Sequence, residues 1–118
     1  MPVRSLNTSV IKWPDRESVR KAAIIWAGEI LGTHPDVEKI GYFGSYARGD
    51  WGVGSDIDIV IIVARSNQPS ERRGVHFETG DLPVPADLLV YTMDEWDAFI
   101  RTDSKFGHVL ARETEWLG

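Results

Sequence analysis

One segment of this chain restricts its fold more than any other. Residues 59–63 read IVIIV, an unbroken run of β-branched side chains that directly follows Asp56, Ile57 and Asp58. β-branched residues favour strands, and a strand that is apolar on both faces is typical of the interior of a sheet. We therefore predict a central strand over residues 57–63, around which the rest of the domain is built.

The remaining elements are predicted from hydrophobic periodicity and from residues that start or stop helices. Asp15 is the predicted N-cap of a helix whose apolar positions recur at helical spacing as far as Ile30, and Gly32 and Pro35 predict its end. Residues 1–13 are predicted to be an irregular lead-in. The same criteria predict short strands over 39–43 and 86–92, helices over 93–100 and 103–113, and a long polar loop over 66–85, either irregular throughout or with one helical turn. The expected fold is α/β, with a short mixed sheet and helices mainly on one face.

Length, charge and composition narrow the classes of protein to which the chain can belong. A chain of 118 residues is expected to form one domain over 1–118. The absence of cysteine excludes disulfides and zinc–thiolate sites, and a net charge of −5 argues against a nucleic acid as direct partner. No apolar run reaches the ~18 residues of a membrane span, and no secretory signal begins the chain, so we expect a cytoplasmic protein. The loop arginines Arg72 and Arg73 are expected to form a surface pair, with contact to a nucleotide or a partner as the alternative.

Two carboxylates stand where the central strand begins. Side chains alternate along a strand, so Asp56 and Asp58 are predicted to project from one face, with Cα atoms about 7 Å apart. Carboxylates at that separation can bind one divalent ion together or bridge two. Magnesium suits such a site because it prefers hard oxygen ligands and keeps positions for phosphates and water. We therefore predict a magnesium site at Asp56 and Asp58.

A glycine–serine pair precedes these aspartates and can supply a phosphate site. Gly44 follows a predicted strand and can let phosphate oxygens approach the main chain, while the Ser45 hydroxyl adds a donor. Arg48 is a candidate phosphate ligand, with a solvent-exposed arginine at a helix end as the alternative. Ser55 is expected to shape the turn before Asp56 and is a further candidate nucleotide contact. A triphosphate would then lie between this turn and the metal.

Other glycine-rich or acidic motifs do not fit this segment. A Walker A loop that starts at Gly44 requires lysine at position 50, where the chain has Asp50. A dinucleotide-binding fingerprint that starts at Gly52 requires glycine at position 57, where Ile57 stands. An EF-hand loop requires further oxygen ligands after Asp58, where the chain is apolar. These three classes of site are therefore excluded.

The full run GSYARGDWGVGSDIDIVIIV, residues 44–63, closely resembles the minimal nucleotidyltransferase branch of the DNA polymerase β-like nucleotidyltransferase superfamily. The resemblance implies the polymerase β-like fold, magnesium as cofactor and ATP as nucleotide substrate. It also implies a third carboxylate on a neighbouring strand, which binds metal and helps to deprotonate the attacking hydroxyl. Asp87 is the natural candidate because it begins the third predicted strand, and Asp81 in the loop is the weaker rival.

The resemblance also suggests what the protein does. Minimal domains of this kind commonly pair with a helical HEPN-type toxin, so the first hypothesis is a protein adenylyltransferase that serves as the antitoxin of a toxin–antitoxin pair. A binding-only antitoxin with a vestigial nucleotide site is the second hypothesis. The third is a small-molecule nucleotidyltransferase, of the kind that modifies antibiotics, which acts as a homo-oligomer. The acceptor, the base preference, the oligomeric state and any closure of loop 66–85 over the nucleotide stay open at this point.

Overall fold

The predicted central strand lies inside a four-stranded sheet. The computed structural model describes residues 14–49, 55–102 and 105–117, so the predicted lead-in over 1–13 lies outside the described residues. The elements in chain order are α1 (Arg16–Thr33), β1 (Val37–Phe43), α2 (Ser45–Arg48), β2 (Ile57–Val63), α3 (Ser70–Arg73), a 3-10 turn (Gly74–His76), β3 (Ala86–Thr92), α4 (Met93–Arg101), α5 (Lys105–Glu113) and β4 (Glu115–Trp116).

The sheet is mixed, as predicted. Its strand order is β3-β2-β1-β4; β2 and β3 are parallel, whereas β1 is antiparallel to both β2 and β4. The short strand β4 pairs with β1 at Gly41 and Tyr42 and was not predicted, because two residues carry no periodicity. The central strand β2 therefore has hydrogen-bonded neighbours on both sides.

Strand β2 is buried on both faces, and helices cover both of them. Its residues Ile57, Ile59, Ile61 and Val63 join a core cluster with α1, while Val60 and Ile62 join a second cluster with α4 and α5. The prediction placed the helices mainly on one face of the sheet. Helices α4 and α5 share one face, whereas α1 covers the opposite one. The physical reason is the sequence of β2 itself, since a strand that is apolar on both sides needs apolar partners on both sides.

The helix boundaries agree closely with the predicted ones. Asp15 caps α1 by accepting a hydrogen bond of 2.7 Å from the Ser18 amide, and the helix continues through Gly32 to end at Thr33. Helix α4 begins with a capping box between Thr92 and Glu95. The start predicted for the last helix, residues 103–104, lies outside the described residues, and α5 is seen from Lys105 onwards. Among the described residues, no helix combines the length and hydrophobicity needed to cross a bilayer.

The segment predicted as a loop over 66–85 is anchored to the core. It contains α3 and the 3-10 turn, and its side chains Phe77, Leu82 and Val84 are buried in the cluster that includes α1. These three residues lie on the side of the sheet opposite to α4 and α5. The loop therefore covers the core, although its buried residues are irregularly spaced among polar ones and give no periodic signal.

The two loop arginines do not form a surface pair, because Arg73 is buried while Arg72 is exposed. Arg73 donates hydrogen bonds to the carbonyls of Gln68 (2.9 Å) and Val90 (3.2 Å) and forms a bidentate ion pair with Glu95 at 2.5 and 3.1 Å. The hydrogen bonds from Arg73 and from the Thr92 amide lower the pKa of Glu95. Arg73 thus ties the loop to the end of β3 and the start of α4.

We expect Arg73→Met to lower the free energy of unfolding by about 2 kcal/mol, since the buried Val90 carbonyl loses its donor and Glu95 loses its ion pair. A carboxylate whose pKa is lowered by folding contributes stability above its unfolded pKa and loses it as the pH falls through the folded pKa. The difference from wild type should therefore shrink on acidification below about pH 4. Urea unfolding followed by tryptophan fluorescence measures both effects, and the exposed neighbour changed in Arg72→Met is the matched control. Equal losses in the two variants would contradict the anchoring role of Arg73.

Candidate functional site

Two of the predicted carboxylates are direct neighbours in the sheet. Asp58 on β2 and Asp87 on β3 are Cα partners in the parallel ladder, so their side chains leave the same face of the sheet. Asp56 lies two residues before Asp58, just ahead of the first residue of β2. Asp58 is half-buried, while Asp56 and Asp87 are exposed. The structure therefore brings all three carboxylates to one end of the two strands.

The weaker rival for the third carboxylate lies elsewhere. Asp81 is exposed in the loop and lines a cavity of about 330 Å³ together with Trp26 and Glu29 of α1. Helix α1 covers the face of the sheet opposite to the one from which Asp58 and Asp87 project. Of the two candidates, only Asp87 is thus placed beside Asp58.

The three carboxylates repel one another. Burial raises the pKa of Asp58, and the negative charges of Asp87 and then Asp56 raise that pKa further, while Arg48 lowers it. Like charges that face one another make the ionised state costly. A bound cation would remove that cost, so the electrostatics of the site fit a group with positive charge.

Gly44 is required at its position by both backbone conformation and space. Its φ of 75° and ψ of −149° lie in a region that residues with a side chain rarely adopt. A Cβ at this position would collide with a carboxylate oxygen of Asp58, because Phe43, the residue before Gly44, is the ladder partner of Asp58. The main chain of Gly44 therefore lies directly against the carboxylate.

Helix α2 is a single turn that connects this glycine to the strand with the carboxylates. It starts at Ser45, which is half-buried, and ends at Arg48. Gly49 is its C-cap, with a φ of 87°, and donates its amide to the Ser45 carbonyl. Tyr46 is buried, and its hydroxyl donates a hydrogen bond of 3.4 Å to the Ser55 carbonyl. This contact holds the glycine–serine turn next to the residues that immediately precede Asp56.

Helix α1 also holds the glycine–serine turn in place, through its residue Arg16. The guanidinium of Arg16 donates hydrogen bonds to the carbonyls of Tyr46 (2.7 Å) and Ala47 (3.3 Å), which lie in α2. No local pattern predicts this role, since Arg16 and α2 are about thirty residues apart and meet only in the folded chain. Arg16 is thus a positioning residue for the candidate phosphate site.

Glu113 is the second residue that the sequence did not reveal. Its Oε1 atom accepts a hydrogen bond of 3.3 Å from the Gly44 amide and lies 3.3 Å from Nη1 of Arg48. Glu113 is the last residue of α5, and it is only about a fifth exposed. The predicted phosphate ligand Arg48 is therefore engaged in an ion pair with a carboxylate at the site.

The donor set at this site fits a metal that also binds phosphates. In residues 14–49, 55–102 and 105–117, no group of three or more His, Cys, Asp or Glu side chains is arranged so that it could hold a metal ion by itself. Magnesium in nucleotide sites commonly takes one or two carboxylates and completes its coordination with phosphate oxygens and water. The pair Asp56 and Asp58 fits this pattern, which requires no third protein ligand.

We expect Asp58→Asn to raise the melting temperature by a few degrees at neutral pH in the presence of a chelator. The folded pKa of Asp58 is raised, so wild-type stability falls as the pH rises from the unfolded pKa through the folded one, and the asparagine lacks this cost. The difference should vanish below about pH 3, where the carboxyl is protonated in both states. Calorimetric melting curves test this, with Asp81→Asn as the matched control. A lower melting temperature for Asp58→Asn would contradict the repulsion.

The fold of the chain is similar to that of a solved nucleotidyltransferase. The chain superposes with a TM-score of 0.61 on a provisionally assigned nucleotidyltransferase from Sulfolobus solfataricus, at 22% identity over 86% of this chain and 80% of the other. A toxin–antitoxin structure with AMP-PNP (18% identity, TM-score 0.46) and a mutant of the toxin–antitoxin MntA–HpeT (14% identity, TM-score 0.47) each cover 89% of this chain, which covers 73% of theirs. No curated protein matches the chain in sequence.

The first of these superpositions confirms the predicted polymerase β-like nucleotidyltransferase fold. The sequence profile of the nucleotidyltransferase domain matches residues 24–110, a segment that includes the glycine–serine turn and all three carboxylates. Because this match covers well over half of the sequence, the chain belongs to the nucleotidyltransferase domain family.

Proposed function

We propose that this protein transfers AMP from ATP to a hydroxyl of a partner protein and releases pyrophosphate. The observation that carries the proposal is the position of Asp58, which lies between the main chain of Gly44 and the carboxylate of Asp87. A candidate phosphate-binding turn, a pair of candidate metal ligands and a candidate base thus meet in one place. Membership of the nucleotidyltransferase family supports the reaction class.

Asp56 and Asp58 would hold magnesium at this site, and Asp87 is a further candidate ligand. When bound, the ion neutralises phosphate charge and stabilises the negative charge that develops on the transferred group. The mutual repulsion of the carboxylates supports this assignment, because burial and two neighbouring charges disfavour ionised Asp58 when no cation balances it.

The other residues of the site bind the nucleotide and handle the proton. The amide of Gly44 and the hydroxyl of Ser45 bind the phosphates that leave as pyrophosphate, and Arg48 adds positive charge. Ser55 contacts the nucleotide beside Asp56. Asp87 accepts the proton of the attacking hydroxyl, for which a base must lie within hydrogen-bond reach. The attacking oxygen then bonds to the α-phosphorus while the bond to pyrophosphate breaks.

The identity of the acceptor rests on the resemblance of residues 44–63 to minimal nucleotidyltransferases. On that basis we propose a helical HEPN-type toxin as partner and an antitoxin role in the cytoplasm. The exposed position of Asp87 is compatible with a large acceptor, because its carboxylate can be reached from outside the domain. A protein acceptor needs such access, whereas a small substrate does not.

Calorimetric titration with ATP and magnesium tests the site. We expect wild type to bind the nucleotide only with the metal present, and the double variant Asp56→Asn, Asp58→Asn to lose this binding. The same variant should lose transfer of label from ATP, labelled at its α-phosphate, to the co-expressed partner. Asp81→Asn is the matched control and should keep both activities.

Other results, from this experiment or from an assay with an aminoglycoside as acceptor, would favour another function or contradict the assigned metal ligands. Binding by wild type without any transfer to the partner would favour the binding-only antitoxin. A stable homo-oligomer that modifies an aminoglycoside would favour the small-molecule enzyme. Metal-independent binding, unchanged in the double variant, would contradict the assignment of Asp56 and Asp58.

Two glycines with positive φ provide a sharp test of the phosphate site. Gly44→Ala should abolish nucleotide binding, because the new Cβ collides with the Asp58 carboxylate. Gly49→Ala meets no atom within 4 Å and should keep binding, although its φ of 87° costs about 1 kcal/mol of stability. Calorimetric binding and melting curves on both variants separate the two effects. Equal binding by the two variants would show that the approach of Gly44 to Asp58 is unimportant.

A further inference from the structure

The contact between Glu113 and the glycine–serine turn conflicts with the proposed position of the nucleotide phosphates. Oε1 of Glu113 accepts the amide hydrogen of Gly44 at 3.3 Å. An amide N–H has one hydrogen, and a phosphate oxygen can use it fully only when the carboxylate has left. The carboxylate and the phosphates also carry charge of the same sign, so they repel one another at this distance.

Arg48 is drawn into the same competition. Its Nη1 atom lies 3.3 Å and 3.5 Å from the two carboxylate oxygens of Glu113. A triphosphate that approaches Gly44 would offer Arg48 an acceptor with more negative charge than a single carboxylate. Both contacts of Glu113 would therefore be exchanged for contacts to phosphate in one step.

The backbone around Glu113 is fixed, so the exchange is a movement of its side chain. Thr114, the next residue, bonds the Leu110 carbonyl through its amide and its hydroxyl, which caps α5. Glu115 then pairs with β1 and accepts a hydrogen bond of 2.6 Å from the Tyr42 hydroxyl. The Glu113 side chain, about a fifth exposed, can rotate toward solvent while these contacts persist.

We propose that Glu113 is an internal competitor of the nucleotide phosphates, which holds Gly44 and Arg48 in the unliganded protein and lowers nucleotide affinity until it is displaced. The proposal rests on the proposed function, because it assumes that phosphate binds at Gly44. It goes further by assigning a role to a residue beyond the segment that matches the nucleotidyltransferase family, residues 24–110.

The test compares Glu113→Gln, which keeps shape and removes charge, with wild type. Calorimetry with ATP and magnesium and, separately, with inorganic tripolyphosphate and magnesium should give dissociation constants lowered about tenfold for both ligands. Equal factors are expected because the competition concerns phosphates and not the base. Glu38→Gln is the matched control, since it removes the same charge from an exposed position at the far end of β1 and should leave both affinities unchanged.

A second measurement does not depend on affinity. In nitrogen–proton correlation spectra, the Gly44 amide proton should shift upfield in unliganded Glu113→Gln, because a neutral acceptor replaces a carboxylate. Tripolyphosphate should then move this resonance to similar positions in wild type and variant.

The outcomes separate the inference from the proposed function. Unchanged or weaker binding by Glu113→Gln, in a wild type that binds ATP, overturns the competition and leaves the proposed function intact. A Gly44 resonance that is the same in wild type and variant overturns the contact itself. Absence of binding by wild type and Glu113→Gln alike overturns both the competition and the proposed function.

Discussion

The burial of β2 on both faces is the constraint on which the rest of the structure depends. Val60, Ile61 and Ile62 are fully buried, and the strand is paired with β3 along its whole length and with β1 from Asp58 to Val63. A slip of one residue would turn every side chain of β2 to the other face and put the Asp58 carboxylate into the core cluster that includes α1. The core therefore fixes the register, and the register places Asp58 beside Asp87.

The site is rigid because Asp58 belongs to this strand. The repulsion between its carboxylates destabilises the fold, and the burial of the core offsets this loss. Asp58 projects from a strand that cannot shift, and it faces two like charges and the main chain of Gly44. An isolated carboxylate cluster would spread apart to reduce its repulsion. Here the pairing of β2 with β3 keeps Asp58 and Asp87 close together in the unliganded protein. A bound cation would remove the repulsion between them, which favours its binding.

The candidate phosphate site depends on the two ends of the described chain. Arg16, at the start of α1, holds the carbonyls of α2, and Glu113, at the end of α5, accepts the Gly44 amide. Strand β4 follows α5 and links it to α1. Its residue Glu115 accepts a hydrogen bond from the Tyr42 hydroxyl and forms ion pairs of 3.7 Å with Arg16 and Arg20 of α1. The turn that would contact phosphate is therefore sensitive to how α1 and α5 pack against the sheet.

The sequence by itself determined β2, the helix boundaries near Asp15 and Thr92, and the candidate site residues within 44–63. Each of these depends on local periodicity, capping or spacing. Only the tertiary structure decided the cover of both faces, the strand β4, and the burial of Arg73 instead of a surface position. It also placed Asp87 rather than Asp81 beside Asp58 and revealed Glu113 and Arg16. These features depend on contacts between residues far apart in the chain, where the pairing of strands and the burial of charge act across distances that a local pattern does not encode.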